Sequence, residues 1–403
     1  MSRRAVVCGG SIGGLFSAAF LRNAGWDVVV LERSRTELAG RGAGIVTHDL
    51  LDRLIRLAGA ETTDLGVQVT ERVAFDLTGA RVATLSLPQI VTSWDRVHSL
   101  LRALMPAGTY WLDKAVSGYD ETDGQVTLQL EDGTTEAADL VVGADGFRSA
   151  IRAQMHPEVQ PQYAGYVVWR ALAHEADLPA DVRQSVFDPF GFFLPDGTQI
   201  IGYPIAGPGN DLRSGHRRYN FVWYSPVTPA ELADMLTDAS GHRHDLTIPP
   251  PLVRESVLAQ MRRFADSNLP EPFLEILARS ERPFFTPIYD HLSPYFAKGR
   301  AALVGDAACV ARPHVGMGVT KAAGDAEALA RALTGTDVVT ALGHYSFERR
   351  NAGQVAHDTA QRLGSYIFSG GSPKESPANH DGRSNPRISV IMAETAVVPA
   401  ALL

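Results

Sequence analysis

Six residues, Gly9-Gly10-Ser11-Ile12-Gly13-Gly14, stand between a short apolar run and a helical one. Gly9 permits a tight turn, and Gly14 permits close packing of helix on strand. The helix start between them offers unpaired N–H groups and a positive dipole end, the chemistry that holds a pyrophosphate. Ser11 occupies the place of the middle glycine in G-x-G-x-x-G. Serine is small and its hydroxyl can bond a phosphate oxygen, so the departure weakens the site without abolishing it. Glu32 lies 23 positions after Gly9, at the end of the next apolar run. A carboxylate there takes ribose hydroxyls. Turn and carboxylate together predict a dinucleotide site rather than a purely structural turn.

Two further segments carry chemistry. Asp145-Gly146 follows the buried run 139–143, and a carboxylate so placed must find partners. An ordinary Asp-Gly turn is the alternative. Later, Gly305-Asp306 ends another apolar run, followed by Arg312-Pro313-His314-Val315-Gly316-Met317-Gly318 and a long helical stretch. Asp306 can accept from a sugar-like hydroxyl. Gly316 and Gly318 expose backbone N–H groups at a helix start, where negative charge is stabilised. A loop shaped only by turn propensity is the alternative here.

In this order the three segments resemble the single-component FAD-dependent aromatic hydroxylases of the p-hydroxybenzoate hydroxylase type. The resemblance implies an FAD site in which Glu32, with Arg33 beside it, meets the adenosine ribose. Arg96 would reach the diphosphate, Asp145 and Gly146 line the cofactor region, and Asp306 meets the ribityl chain. Pro313 would lie beside the flavin ring, with Gly316, Met317 and Gly318 at its pyrimidine edge. Cys309 stands where many members have a histidine. GGSIGGL, GAGIV at 42–46, YAGYVVWRA at 163–171, YPI at 203–205, FVWY at 221–224 and RPH at 312–314 are similar to the bacterial pyridinol hydroxylases. These are the 2,6-dihydroxypyridine and 6-hydroxynicotinate monooxygenases.

The implied activity consumes NADH or NADPH and O2 and hydroxylates an electron-rich ring, a hydroxypyridine or a phenol, through a flavin hydroperoxide. An electrophilic oxygen needs a nucleophilic carbon, so a base that ionises a ring hydroxyl is expected. His314, in the loop beside the flavin, is the first candidate, ahead of His48, Tyr203 and His291. A loop-shaping role is the alternative for His314, a solvated loop histidine for His48, and a core aromatic for Tyr203. Tyr203, Trp223 and His314 are the expected substrate contacts. Strand alternation sends Trp223 and Tyr224 to opposite faces, so at most one of them lines a pocket. The rival readings are a flavin oxidase or reductase that does not hydroxylate, and a non-catalytic FAD-bound sensor.

The elements that must position these residues follow the same order. Residues 4–8 and 27–31 read as buried parallel strands flanking a helix from Ile12 to about Ala24, ended by Gly25. Residues 50–58, 94–104, 229–238, 251–264 and 317–334 have helical spacing. Residues 72–92 read as a hairpin turning at Thr78-Gly79. Residues 115–119, 125–130, 139–143 and 300–305 read as strands. Aromatics crowd residues 163–225, several with the period of two of half-buried strands. The expectation is an α/β protein: a Rossmann-like FAD-binding domain (1–72, 96–162, 286–366) interleaved with a smaller antiparallel substrate domain (73–95, 163–285). The tail 367–403 should be partly mobile from Ser369 to Pro386, with 388–403 docking back.

Composition narrows the rest. The 403 residues carry a net charge of −8 and no basic run, a poor match to nucleic acid or an anionic membrane. No apolar run reaches the ~18 residues of a membrane span, and the N-terminus lacks a signal-peptide pattern. The two cysteines, Cys8 and Cys309, fall in buried runs, which argues against a disulfide and for the cytoplasm. No metal site is expected, and the resemblance implies a homodimer.

Overall fold

The structure is a computed structural model that describes residues 3–38, 44–122, 124–368 and 386–402. The strand Arg4–Cys8 is apolar on both faces because it runs through the centre of a parallel sheet. It pairs in parallel with Asp27–Leu31 on one side and Leu140–Gly143 on the other. Ala301–Leu303 and Tyr110–Trp111 extend the sheet in parallel beyond these two. Ala297–Lys298 closes one edge antiparallel. The helix Ile12–Asn23 lies on this sheet and packs against the helix Gly318–Ala332. It stops at Ala24 and Gly25, whose φ of +85° suits glycine. A three-stranded sheet, Val116–Thr122, Gln125–Leu130 and Thr135–Ala138, packs against the central strands.

A second, nine-stranded sheet holds the aromatic residues. Its order is Cys309–Val310, Phe284–Leu292, Gln162–His174, Arg218–Pro226, Gln199–Ile205, Phe190–Phe193, Val67–Phe75, Arg81–Ser93 and Gly44–Thr47. Alternation gives it two distinct faces. Trp169, Tyr219, Phe221, Trp223 and Phe285 pack under the helices Glu255–Asn268 and Glu271–Ala278. Tyr166, Val168, Phe190, Tyr203, Val222 and Tyr224 face the opposite way, towards the nucleotide-type half of the molecule.

The expected elements recur with shifted ends. The hairpin starts at Val67 instead of 72 and runs to Ser93. The sheet it joins takes strands from both sides of the expected boundaries at 72/73 and 285/286, because pairing continues as long as the backbone stays extended. Gly44–Thr47 also joins it. A 27-residue helix, Val338–Gly364, lies where no element was expected. The expected mobile stretch after Ser369 lies outside the described residues, as do Gly42 and Ala43 of GAGIV. Residues 386–402 do dock: the helix Pro386–Glu394 packs on the hairpin strands. Cys8 and Cys309 are free and buried. Among the described residues no helix is long and apolar enough to cross a membrane, and no cluster of His, Cys, Asp or Glu could hold a metal ion.

Candidate active site

The glycine turn is built by close approach. Gly9, at φ +105°, lies so near the Ala144 carbonyl that any Cβ would overlap it, and a Cβ on Gly14 would overlap the Gly9 carbonyl. Ser11 caps the helix in extended conformation, yet its hydroxyl makes no capping bond. The first-turn amides of a helix have no partner within it, so hydroxyl and amides remain for a ligand. Glu32 is buried, and its two oxygens accept from Gly10 N at 2.7 Å and Ser34 N at 2.8 Å. The carboxylate thereby ties the turn to the end of the second strand, with lone pairs to spare. Asp145 Oδ2 accepts from Ala150 N at 2.7 Å, while Oδ1 is buried without a partner. Burial pushes this carboxyl above its usual range.

These residues meet in a cleft of 540 Å³ lined by Gly9, Ser11, Glu32, Arg33, Asp145 and Gly146. Sequence reasoning missed Arg148 and Lys114 on the same wall. Arg148 was visible in DGFRS; Lys114 carried no motif. Ile12, Gly13, Gly14 and Arg96 are not among the lining residues. Arg96 donates from Nη2 to the Thr63 carbonyl at 2.9 Å, and its Nε is buried without a partner.

A second cavity, of 270 Å³, lies between the nine-stranded sheet and the loop after Asp306. Asp306, Pro313, Gly316, Met317 and Gly318 form its loop side; Arg170, Tyr203, Tyr224 and Phe190 form its sheet side. Asp306 is open to solvent within this second cavity, yet desolvation by the surrounding protein raises its carboxyl. Its loop is braced beneath by Asp325, whose Oδ2 accepts from Gly305 N at 3.0 Å, and by Lys321, which donates to the Gly305 carbonyl at 2.8 Å. Tyr203 stacks on Phe190 with ring centres 4.8 Å apart, and burial pushes its hydroxyl up to about 12. Among the described residues, the Arg170 side chain has no carboxylate partner and no hydrogen bond, although its backbone is paired in the sheet.

Three expected contacts lie elsewhere. Trp223 faces the helix layer, where its Nε1 donates to Thr198 Oγ1 at 2.7 Å; parity gives the cavity Tyr224 in its place. His314 is 1% exposed and sits behind the loop, its Nε2 2.9 Å from the Tyr166 hydroxyl and its ring 4.3 Å from that of Tyr224. Burial and the nearby Arg312 push it down to about 3. His48 lies on the far side of the cavity wall and lines a separate cavity of 480 Å³. Its Nδ1 is 3.0 Å from Thr320 Oγ1 and its Nε2 3.2 Å from the Ala396 carbonyl. Burial lowers it as well. His291 is buried beside Arg152 and joins no cavity described here.

A cradle any Cβ would fill, a hydroxyl and helix amides free for phosphate, and a buried orphan carboxylate oxygen all suit FAD spread across both cavities. Comparison with known proteins agrees. Residues 3–188 match the FAD binding domain family, and residues 163–290 match an FAD binding domain-like family. The 2,6-dihydroxypyridine 3-monooxygenase of Paenarthrobacter nicotinovorans is 34% identical over 321 residues, covering 79% of this chain and 80% of its own. The chain belongs to the FAD-dependent aromatic monooxygenases. The chain is also 26% identical to the 6-hydroxynicotinate 3-monooxygenase of Bordetella bronchiseptica, over 79% of each. The solved structure of 2,6-dihydroxypyridine-3-hydroxylase from Arthrobacter nicotinovorans superposes with a TM-score of 0.86 and 32% identity, covering 94% of this chain and 96% of that one. The α/β class and the FAD-binding fold are thus established. So is the reaction class, oxygen insertion into an aromatic ring with NAD(P)H and O2.

Proposed function

We propose that the substrate is a hydroxypyridine, bound as its ring oxyanion in the 270 Å³ cavity. The observation that carries this is Arg170: a cation on the sheet wall, without a carboxylate, between Tyr203 and Tyr224. A charge held in a cavity without a partner is costly, and an anionic ligand relieves it. Tyr203 and Tyr224, both raised by burial, keep their protons at neutral pH and can donate to the ring oxygen rather than take its proton.

FAD, when bound, supplies the redox chemistry that delivers one atom of O2 to the ring. The chain's residues would hold it at Gly9, Ser11, Glu32, Arg33, Asp145 and Gly146, then at Asp306, Pro313, Gly316, Met317 and Gly318, with Gly14 shaping the turn. The proton leaves by His48. Its Nε2 can only donate to the Ala396 carbonyl, so in the neutral ring Nδ1 is the acceptor, facing the Thr320 hydroxyl. Thr320 stands in the first turn of the helix whose leading residues, Gly318 and Val319, line the ring cavity. His48 then opens on the 480 Å³ cavity, which leads the proton out. His314 acts at one remove, seating Tyr224 and the loop. A homodimer and a cytoplasmic setting belong to the same proposal; the two buried free thiols support the latter.

The test is a panel of hydroxypyridines and hydroxybenzoates, following NADH and NADPH loss, peroxide release and product mass together. Hydroxylated pyridinol, one per reduced nicotinamide consumed, is the expected result. Peroxide alone with hydroxypyridines, and hydroxylated product with hydroxybenzoates, sinks the substrate reading. Arg170→Met should raise KM for the hydroxypyridine at least tenfold while FAD stays bound.

A further inference from the structure

The ring cavity has a wall that does not come from either sheet. Thr395 and Ala396, from the last described segment, line it opposite the sheet tyrosines. A segment that belongs to neither sheet stays in place only if something holds it, and here the hold is unusual. Arg72 is fully buried, and among the described residues no carboxylate pairs with it. Its Nη1 donates to the carbonyls of Met392 and Thr395, each at 2.6 Å, and its Nη2 to that of Ala396 at 3.4 Å. Gln89 completes the clasp, accepting from Arg72 Nη2 at 2.5 Å and donating to the Ala396 carbonyl at 3.2 Å. These carbonyls lie at the end of the helix Pro386–Glu394, where a cation is favoured. Phe190, which stacks on Tyr203 inside the cavity, lies under the guanidinium at 5.0 Å.

The clasp reaches every other wall. Ala396 N donates to the His314 carbonyl at 2.9 Å, and the Ala396 carbonyl meets His48. Ala396 holds φ +52°, a left-handed conformation that alanine adopts only under constraint. Its methyl presses on Gly316, where a Cβ would collide with it. Thr395 is 1% exposed, and its hydroxyl has no partner among the described residues.

We propose that Arg72 is a positioning residue that seats residues 392–396 as the third wall of the ring cavity, and that the Thr395 hydroxyl hydrogen-bonds the bound ring. The claim for Thr395 rests on the cavity being the substrate site; the seating by Arg72 does not. A removable polypeptide wall lets the cavity close around a flat ligand and shut out water without moving either sheet.

Four variants test this: Arg72→Met with Arg72→Lys as its conservative partner, Thr395→Val, and a chain ending at residue 385. The readouts are FAD affinity, KM and kcat for 2,6-dihydroxypyridine, product formed per NADH, and tryptic cleavage after Arg387 followed by intact mass. Arg72→Met should cleave at least tenfold faster, raise KM at least tenfold and divert most NADH to peroxide, with FAD affinity within threefold of wild type. Arg72→Lys should recover part of each. Thr395→Val should raise KM three- to tenfold with unchanged cleavage. The shortened chain should bind FAD and hydroxylate poorly. Wild-type KM and coupling in the shortened chain, or unchanged cleavage in Arg72→Met, overturns the proposal. If wild type itself ignores 2,6-dihydroxypyridine, the substrate reading fails while the cleavage result still decides the seating. Should Arg72→Met not fold, the shortened chain and Thr395→Val decide.

Discussion

Two buried histidines make the molecule acid-sensitive in a way that can be measured residue by residue. His314 and His291 are each pushed down to about 3 by burial and neighbouring cations, from an ordinary 6.5. Below pH 6.5 the unfolded chain takes up protons that the native state refuses, so stability falls as pH drops from 6.5 towards 3. Each group contributes about 1.4 kcal/mol per pH unit to that slope. Urea unfolding of wild type and His314→Gln at pH 7.5, 6 and 5 should show a slope shallower by about this amount in the variant. Identical slopes would mean that His314 is protonated in the native state. Glu32→Ala removes the carboxylate proposed to take the ribose hydroxyls and should weaken FAD binding about 10- to 100-fold by flavin-fluorescence titration, the worth of one charge-assisted hydrogen bond of about 1.5–3 kcal/mol. At this scale the sequence was uneven. Glu32 was legible because a carboxylate at a strand end, at a fixed distance from a glycine turn, has few other uses. Choosing between Trp223 and Tyr224 needed the parity of the strand against its neighbours, which a single run of alternating residues does not supply.

At the scale of elements, the glycine turn is the part least able to change. Gly14→Ala places a methyl into the Gly9 carbonyl and should cost about 1–3 kcal/mol through displacement of the helix start. The expected outcome is protein purified largely without flavin, read from the ratio of absorbance at 450 and 280 nm, with a lowered Tm. A fully yellow variant of wild-type Tm would show that the turn has room to spare. The helix Ile12–Asn23 was readable because a glycine stop and large apolar residues marked it. The helix Val338–Gly364 was not, although its buried residues Val338, Ala341, Leu342, Tyr345, Gly353, Ala356, Ala360 and Leu363 keep helical spacing. Half of them are alanine or glycine. They mark close packing rather than an apolar stripe, so the signal that usually betrays a buried face is faint. The hairpin Val67–Ser93 was found but cut short, since Val67–Gln68 carries no turn signal to show that pairing begins there.

At the scale of the whole molecule, both cavities lie where separately folded layers meet, so the cofactor should act as a bridge. Ligand at 100 times its dissociation constant adds about 2.7 kcal/mol to the folded state. FAD added to stripped protein should therefore raise Tm by several degrees, and a Tm unmoved by saturating FAD would contradict a site spanning the layers. Arg4–Cys8 is the first strand of the chain and sits at the centre of the parallel sheet, between Asp27–Leu31 and Leu140–Gly143, with Ala301–Leu303 beyond. During synthesis this strand waits for a neighbour made about 130 residues later, Leu140–Gly143, which in turn waits about 160 more for Ala301–Leu303. Until they arrive, VVC and VVVL are bare apolar edges open to any other strand. Such long-range pairing makes refolding slow and exposes the nascent chain to aggregation. Yield in a cell should thus depend on chaperone supply and synthesis temperature more than on the stability of the finished enzyme.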